Sequence, residues 1–193
     1  MLAFDVDCFI YHSNRNFVMT ETLILVDEQD NQTGTAEKME AHENPRLHRA
    51  LSVVLFNAKG EMLIQQRAST KYHAPDLWAN ACCSHPRPEE PTDAAAHRRL
   101  KEEMGFDCGF KEAFHFTYKA EVGNNLTEHE YDHVFVGTYD GEVNPNPEEV
   151  GAYKFMNVDD MKMDIAEHPE KYAPWFRILL VEFEKKFPGL KPE

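Results

Sequence analysis

The sequence predicts an α+β domain, and three observations predict it. Short apolar runs rich in β-branched and aromatic residues recur along most of the chain, separated by Gly, Pro, Asn and Asp. One helical stretch interrupts these runs and two more follow the last of them, so strands and helices are segregated rather than alternating. The 193 residues are 42% hydrophobic, enough for one core and consistent with one domain.

Each element has its own signal. The strong pattern begins only at Thr20, so residues 1–19 read as an N-terminal extension and residues 20–193 as the domain, with Met19 a possible alternative start. The extension carries Asp5 and Asp7 and lacks a basic beginning, which argues against a signal peptide. Thr22 to Asp27 is a short apolar strand, and Asp30, Asn31 and Gly34 mark a turn. Arg49 to Phe56 and Glu61 to Arg67, joined by Asn57-Ala-Lys-Gly60, read as a two-stranded hairpin. A polar loop with Pro75 leads to a short strand at Leu77 to Cys83. The central helix begins near Pro91, with Thr92 or Asp93 as N-cap, and ends at Gly105. Phe110 to Val122 and Glu128 to Tyr139 are strands about the turn Gly123-Asn-Asn, and Ala152 to Met156 is another. Asn157 to Glu167 and Ala173 to Phe187 are helical, the second with Trp175, Ile178, Leu179 and Phe183 as an apolar stripe.

Composition narrows the function. A formal net charge of −14 argues against a nucleic-acid partner, since a polyanion is repelled. An anionic small substrate would need a local cationic pocket or a bound metal. No apolar run approaches the ~20 residues of a membrane helix. Four cysteines, Cys8, Cys82, Cys83 and Cys108, are too few for a disulfide scaffold, and the adjacent pair would be strained as a disulfide. Free thiols in a reducing, cytoplasmic setting are the simpler reading.

Chemistry concentrates between Asn80 and Gly105, where thiols, an imidazole and several carboxylates share one loop and one helix. That mixture suits a metal-dependent site. The run Arg98-x-Leu-x-Glu102-Glu103-x-Gly105-Phe106, with Glu90 eight positions before Arg98 and Ser84 six before Glu90, resembles the Nudix box. The resemblance implies a Nudix-type mixed β-sheet core flanked by helices. Ser84 stands where the box has its first Gly, and Arg99 where it has a metal-binding Glu, so the pattern supports the fold more than hydrolysis.

Three further pieces occur in order around that helix: Arg46-Leu-His48-Arg-Ala-Leu-Ser, Leu77-Trp-Ala-Asn80-Ala-Cys-Cys83-Ser-His85-Pro86, and Glu128-His-Glu130. Together they resemble the type 1 isopentenyl diphosphate isomerases, from about Leu23 to Phe183. The resemblance implies interconversion of isopentenyl and dimethylallyl diphosphate, a small-molecule reaction without nucleic acid or membrane. It implies that Cys83 and Glu130 are the opposed proton donor and acceptor, with Tyr118 assisting Glu130 or serving only as a hydrogen-bonded strand residue. His42, His48, His85, Glu128 and Glu130 match a first metal site, suited to Zn2+ or Mn2+. Glu103, joined by the Cys83 carbonyl, matches a ligand of Mg2+ bridging to the diphosphate. Lys38, Arg67 and Lys71 match cations for the diphosphate, with solvated surface charge as the alternative. Trp175 and Trp78 are candidate aromatic walls for a cationic centre, or simple core residues. The competing function is a Nudix diphosphate hydrolase.

Overall fold

The computed structural model describes residues 21–188. The proposed extension at 1–19 and the last residues of the chain lie outside that range. The strands are β1 (Thr22–Val26), β2 (Gln32–Glu37), β3 (His48–Phe56), β4 (Met62–Arg67), β5 (Trp78–Asn80), β6 (Cys82–Ser84), β7 (Phe110–Gly123), β8 (Leu126–Thr138) and β9 (Val150–Met156). The helices are α1 (Lys38–Glu43), α2 (Thr92–Met104), α3 (Val158–Glu167) and α4 (Pro174–Lys186).

The nine strands form one mixed sheet organised about β3. β3 runs parallel to β8 over nine pairs, from His48↔Glu130 to Phe56↔Thr138. On its other edge Leu51, Ser52 and Val53 pair with Ser84, Cys83 and Cys82 of β6. A strand paired on both edges and covered on both faces should be an unbroken apolar run, and eight of the nine β3 residues are buried.

The expected hairpin is corrected in one respect. β3 and β4 meet only at Phe56↔Met62, beside the turn at Gly60, and then diverge. β4 takes β5 and β9 as its partners instead. The expected single strand at Leu77–Cys83 is likewise two, because the chain crosses that divergence: β5 pairs with β4, and β6 with β3.

Period-2 alternation sends β3 side chains to two cores. Leu51, Val53 and Leu55 pack with Ala95, Ala96, Leu100 and Met104 of α2. Val54 and Phe56 join the cluster containing Trp175, Phe176, Leu179 and Phe183 of α4. Each fully buried Leu or Phe contributes about 1.5–3 kcal/mol. Helix α4 opens with Pro174, whose missing N–H has no helical partner to lose there. Helix α2 follows Pro91 without a side-chain cap; Asp93 accepts instead from the adjacent Ala94 N–H at 2.8 Å, so neither expected N-cap residue fills that role. Gly105 ends α2 with φ +78°, and a Cβ there would lie 2.0 Å from the Asn144 carbonyl oxygen. Only glycine lets residues 144–149 dock on the helix end, where Asn146 N–H donates to the Glu103 carbonyl at 2.8 Å.

Candidate active site

β8 carries Glu128, Glu130 and Asp132 at alternate positions, so the three carboxyl groups share one face, and all are buried. They meet His42 from α1, His48 from the start of β3 and His85 just after β6. Ligand atoms of His42, His48, His85 and Glu128 all lie within 4.8 Å of one another.

The backbone sets the protonation of two of these rings. His42 Nδ1 lies 2.6 Å from the Lys38 carbonyl, and His48 Nδ1 lies 2.8 Å from the Arg46 carbonyl. A carbonyl only accepts, so each Nδ1 carries a hydrogen and each Nε2 is left to hold a proton or a metal. Yet His42 Nε2 sits 2.7 Å from Glu128 Oε2, and His48 Nε2 sits 3.8 Å from the same oxygen. All three atoms are buried and none has a hydrogen-bond partner. Lone pairs converging on a point demand a cation between them, a proton or a metal. Imidazole and carboxylate donors with backbone carbonyls fixing the ring tautomers fit a divalent metal.

Glu130 lies beside this group. Its Oε1 is 3.1 Å from His85 Nε2 and 3.7 Å from His48 Nε2. Its Oε2 accepts from the Tyr118 hydroxyl at 2.5 Å. Burial opposes ionisation of Glu128, but the His42 and His73 imidazoles prevail and hold its carboxyl well below the usual range. Burial and the neighbouring Glu128 charge also oppose ionisation of Glu130, and His48 and His85 outweigh them. Burial disfavours a charged His85, but Glu130 and Glu21 raise its pKa to about 9.

Cys83 stands apart from the imidazole group. Its thiol donates to Asn80 Oδ1 at 2.7 Å and accepts from the Trp175 indole N–H at 3.2 Å. Burial pushes the thiol far above its ordinary value, so it keeps its proton. β6 and β8 flank β3 on opposite edges, which puts Cys83 and Glu130 on opposite sides of that strand.

Cys83, His85, Tyr118, Glu128, Glu130 and Trp175 line one cavity of about 250 Å3 with Lys38, Arg67, Lys71, Arg99 and Glu103, and His42 and His48 lie behind Glu128 and Glu130. A larger groove of about 500 Å3 between α3 and α4 has neither imidazole nor thiol in its wall. Glu103 is 4% exposed, and both its oxygens are held, one by Arg99 and one by Gln65. The Arg67 guanidinium donates to the carbonyls of His73 and Ala74 and lies over the Trp175 ring, 5.1 Å from its centroid. Trp78 is not part of the cavity wall; Lys154 covers its ring.

Several residues at the site carry no role in the sequence reading. His73 Nε2 lies 3.2 Å from Glu128 Oε1, and the ring is 6% exposed. Asp132 accepts from the Ser52 hydroxyl at 2.8 Å. Asn80, Gln65, Glu21 and Glu149 complete the set. Asp132 was within reach, since it continues the alternation of Glu128 and Glu130. Asn80 lies inside the Leu77–Pro86 motif, three residues before Cys83, and the others come from loops or distant strands and have no local signal.

A NUDIX domain model matches residues 46–176. An isopentenyl-diphosphate Delta-isomerase 2 of Photorhabdus laumondii is 49% identical over 84% of this chain and 92% of its own. The chain belongs to the isopentenyl-diphosphate Delta-isomerase family. Relatives of the same description include one from Aromatoleum aromaticum, 46% identical over 84% of this chain and 86% of its own. Another, from Pectobacterium atrosepticum, is 43% identical over 89% and 96%. Among solved structures, the DR0079 protein of Deinococcus radiodurans superposes with a TM-score of 0.71 at 18% identity, covering 84% of this chain and 98% of its own. A MutT protein of Methanosarcina mazei gives 0.60 at 17% identity, over 74% and 96%. At such identities these two show the fold, the same curled sheet with flanking helices. The isomerase family therefore sits on a Nudix fold, as the motifs imply. No helix among the described residues is long and apolar enough to cross a membrane.

Proposed function

We propose that this chain interconverts isopentenyl diphosphate and dimethylallyl diphosphate, with Cys83 and Glu130 moving the protons. The observation that carries the reading is the pairing of a neutral half-buried thiol with an ionised buried carboxylate across one cavity. Toward dimethylallyl diphosphate, Cys83 gives its proton to the terminal alkene carbon, and Glu130 takes one from C2. An unactivated alkene is a weak base, so the intervening centre has tertiary carbocation character. The indole of Trp175 offers a π face to that charge, and burial keeps water from trapping it. Tyr118 steadies Glu130 through its 2.5 Å hydrogen bond.

His42, His48, His85 and Glu128 would hold one divalent metal, Mn2+ or Zn2+ by donor type, with Glu130 at its edge. Glu103, with the Cys83 carbonyl, would hold Mg2+ against the diphosphate, beside Lys38, Arg67 and Lys71. When bound, these ions supply positive charge that offsets the cavity's carboxylates and the diphosphate. Residues 20–193 act as one Nudix-like isomerase domain with 1–19 as an extension. The thiols of Cys82, Cys83 and Cys108 are free, as a reducing cytoplasm would keep them.

Incubation with dimethylallyl diphosphate in heavy water tests the reading. Deuterium should enter the isoprenoid, exhaustive chelation should stop it, and Cys83→Ala should lose most turnover while Cys82→Ala keeps it. Phosphate release without deuterium incorporation would point to the hydrolase instead.

A further inference from the structure

Three of the cations lining the cavity, Lys38, Lys71 and Arg99, already hold carboxylates. Lys38 Nζ lies 2.7 Å from Glu21 Oε2. Lys71 Nζ is hydrogen-bonded to Glu149 Oε2, and the same oxygen lies 3.5 Å from Arg99 Nη2. One carboxylate oxygen thus bridges two cations from different elements, as a phosphate oxygen would. Burial opposes the charge on Glu149, but Lys71 and Arg99 hold its carboxyl below the ordinary range.

The backbone beneath that carboxylate is fixed. Glu149 N–H donates to the Asn146 carbonyl, and the Glu149 carbonyl accepts from Ala68 N–H, both at 3.0 Å. Asn146 is in turn tied to the end of α2 through the Glu103 carbonyl. Only the side chain is left to move, and it has a way out, being partly exposed at 22%. Glu148, its neighbour, faces solvent and makes no contact with either cation.

We propose that Glu149 is an internal counter-anion, a specificity-determining residue that occupies Lys71 and Arg99 until a sufficiently charged ligand displaces it. The inference rests on the diphosphate reading above. A diphosphate presents several anionic oxygens and takes both cations from a single carboxylate. A monophosphate offers fewer and leaves Glu149 in place. The residue thereby keeps the cavity from filling with inorganic phosphate, and gives half-buried Lys71 an ion-pair partner, while Arg99 also holds Glu102 and Glu103, each at 2.7 Å.

Calorimetric titration with inorganic pyrophosphate and inorganic phosphate, at fixed Mg2+, tests it. Glu149→Gln and Glu149→Ala should both bind pyrophosphate about tenfold more tightly than the parent, the effect of one displaced ion pair. Phosphate should gain by a larger factor, because it newly reaches both cations, so the ratio of the two affinities narrows. Glu148→Gln should match the parent, and thermal unfolding checks that each variant is folded. Unchanged or weaker pyrophosphate binding in both Glu149 variants, or a ratio that does not narrow, overturns the proposal. Deuterium exchange by the parent protein, measured on the same preparation, reports separately on the isomerase reading.

Discussion

Asn80 holds the Cys83 thiol in place, and Asn80→Ala isolates that contribution. The side chain is fully buried. Its amide nitrogen donates to the Val53 carbonyl at 3.2 Å and to the Cys82 carbonyl at 2.8 Å, which fixes the amide plane. The amide oxygen then has one orientation, and the Cys83 S–H donates to it at 2.7 Å. Alanine removes all three bonds where water cannot replace them. At about 1–3 kcal/mol per buried polar group left unmet, and with strand pairing still serving the carbonyls, the loss of stability should be about 2–4 kcal/mol. For a domain of this size that lowers Tm by about 5–15 °C. The larger effect should fall on turnover, since a thiol free to rotate is misplaced by about an ångström, a displacement worth about 100-fold in rate. Two measurements separate the effects: turnover at a temperature where the variant is fully folded, and the infrared S–H stretch, assigned by difference against Cys83→Ala. The band should move to higher wavenumber as the hydrogen bond is lost. Turnover within threefold of the parent, with the band unmoved, would refute the claim that Asn80 aims the thiol.

Two other substitutions probe the frame of the site. Gly105→Ala places a methyl group 2.0 Å from the Asn144 oxygen at φ +78°, and should cost at least about 2–3 kcal/mol, or about 5–10 °C in Tm; a Tm within 2 °C of the parent, read by calorimetry, would mean that residues 144–149 do not depend on that close approach. Asp132 is buried beside Glu130, and both effects drive its carboxyl well above the ordinary 3.8 against the opposing Ser52 hydrogen bond. The folded protein then binds a proton that the unfolded chain releases, so stability falls as pH rises above 3.8 toward the folded value. Asp132→Asn should leave Tm nearly unchanged near pH 4 and raise it at neutral pH; an offset independent of pH would show that Asp132 is ionised in the fold.

Much of the fold was legible because its signals are local. The alternation of Glu128 and Glu130, the apolar run of β3 and the glycine ending α2 each belong to one element, and each is found where the sequence puts it. The departures concern partners. Nothing in Arg49–Arg67 says that two strands joined by a tight turn will separate, because that depends on β6 and β5 taking the edges that would have faced each other. The apolar stripe of α4 is partly displaced. Phe176 and Leu180 are buried where Ile178 is only partly so, because with Trp175, Leu179 and Phe183 they form one face at helical spacing. At the site, the named imidazoles, thiol and carboxylates do come together. The groups that orient them, Asn80 under Cys83 and the Lys38 and Arg46 carbonyls behind two histidines, are backbone or neutral amide, types that do not stand out in a sequence.

The separation of β3 from β4 is also what makes the chemistry possible. A closed hairpin would satisfy both strand edges and leave no space between them. Once the strands diverge, residues 78–84 must bridge the gap, and a bridging segment cannot pair along its whole length with either strand. Asn80 and Cys83 lie on the two short pieces that result. There the amide meets carbonyls of both β3 and β6, and the sulfur is left to a side-chain acceptor and an indole donor. The carboxylates of β8, held on the far edge of β3 by nine parallel pairs, cannot collapse onto that thiol. The proposed proton donor and proton acceptor are thus kept apart by one strand of an otherwise continuous sheet.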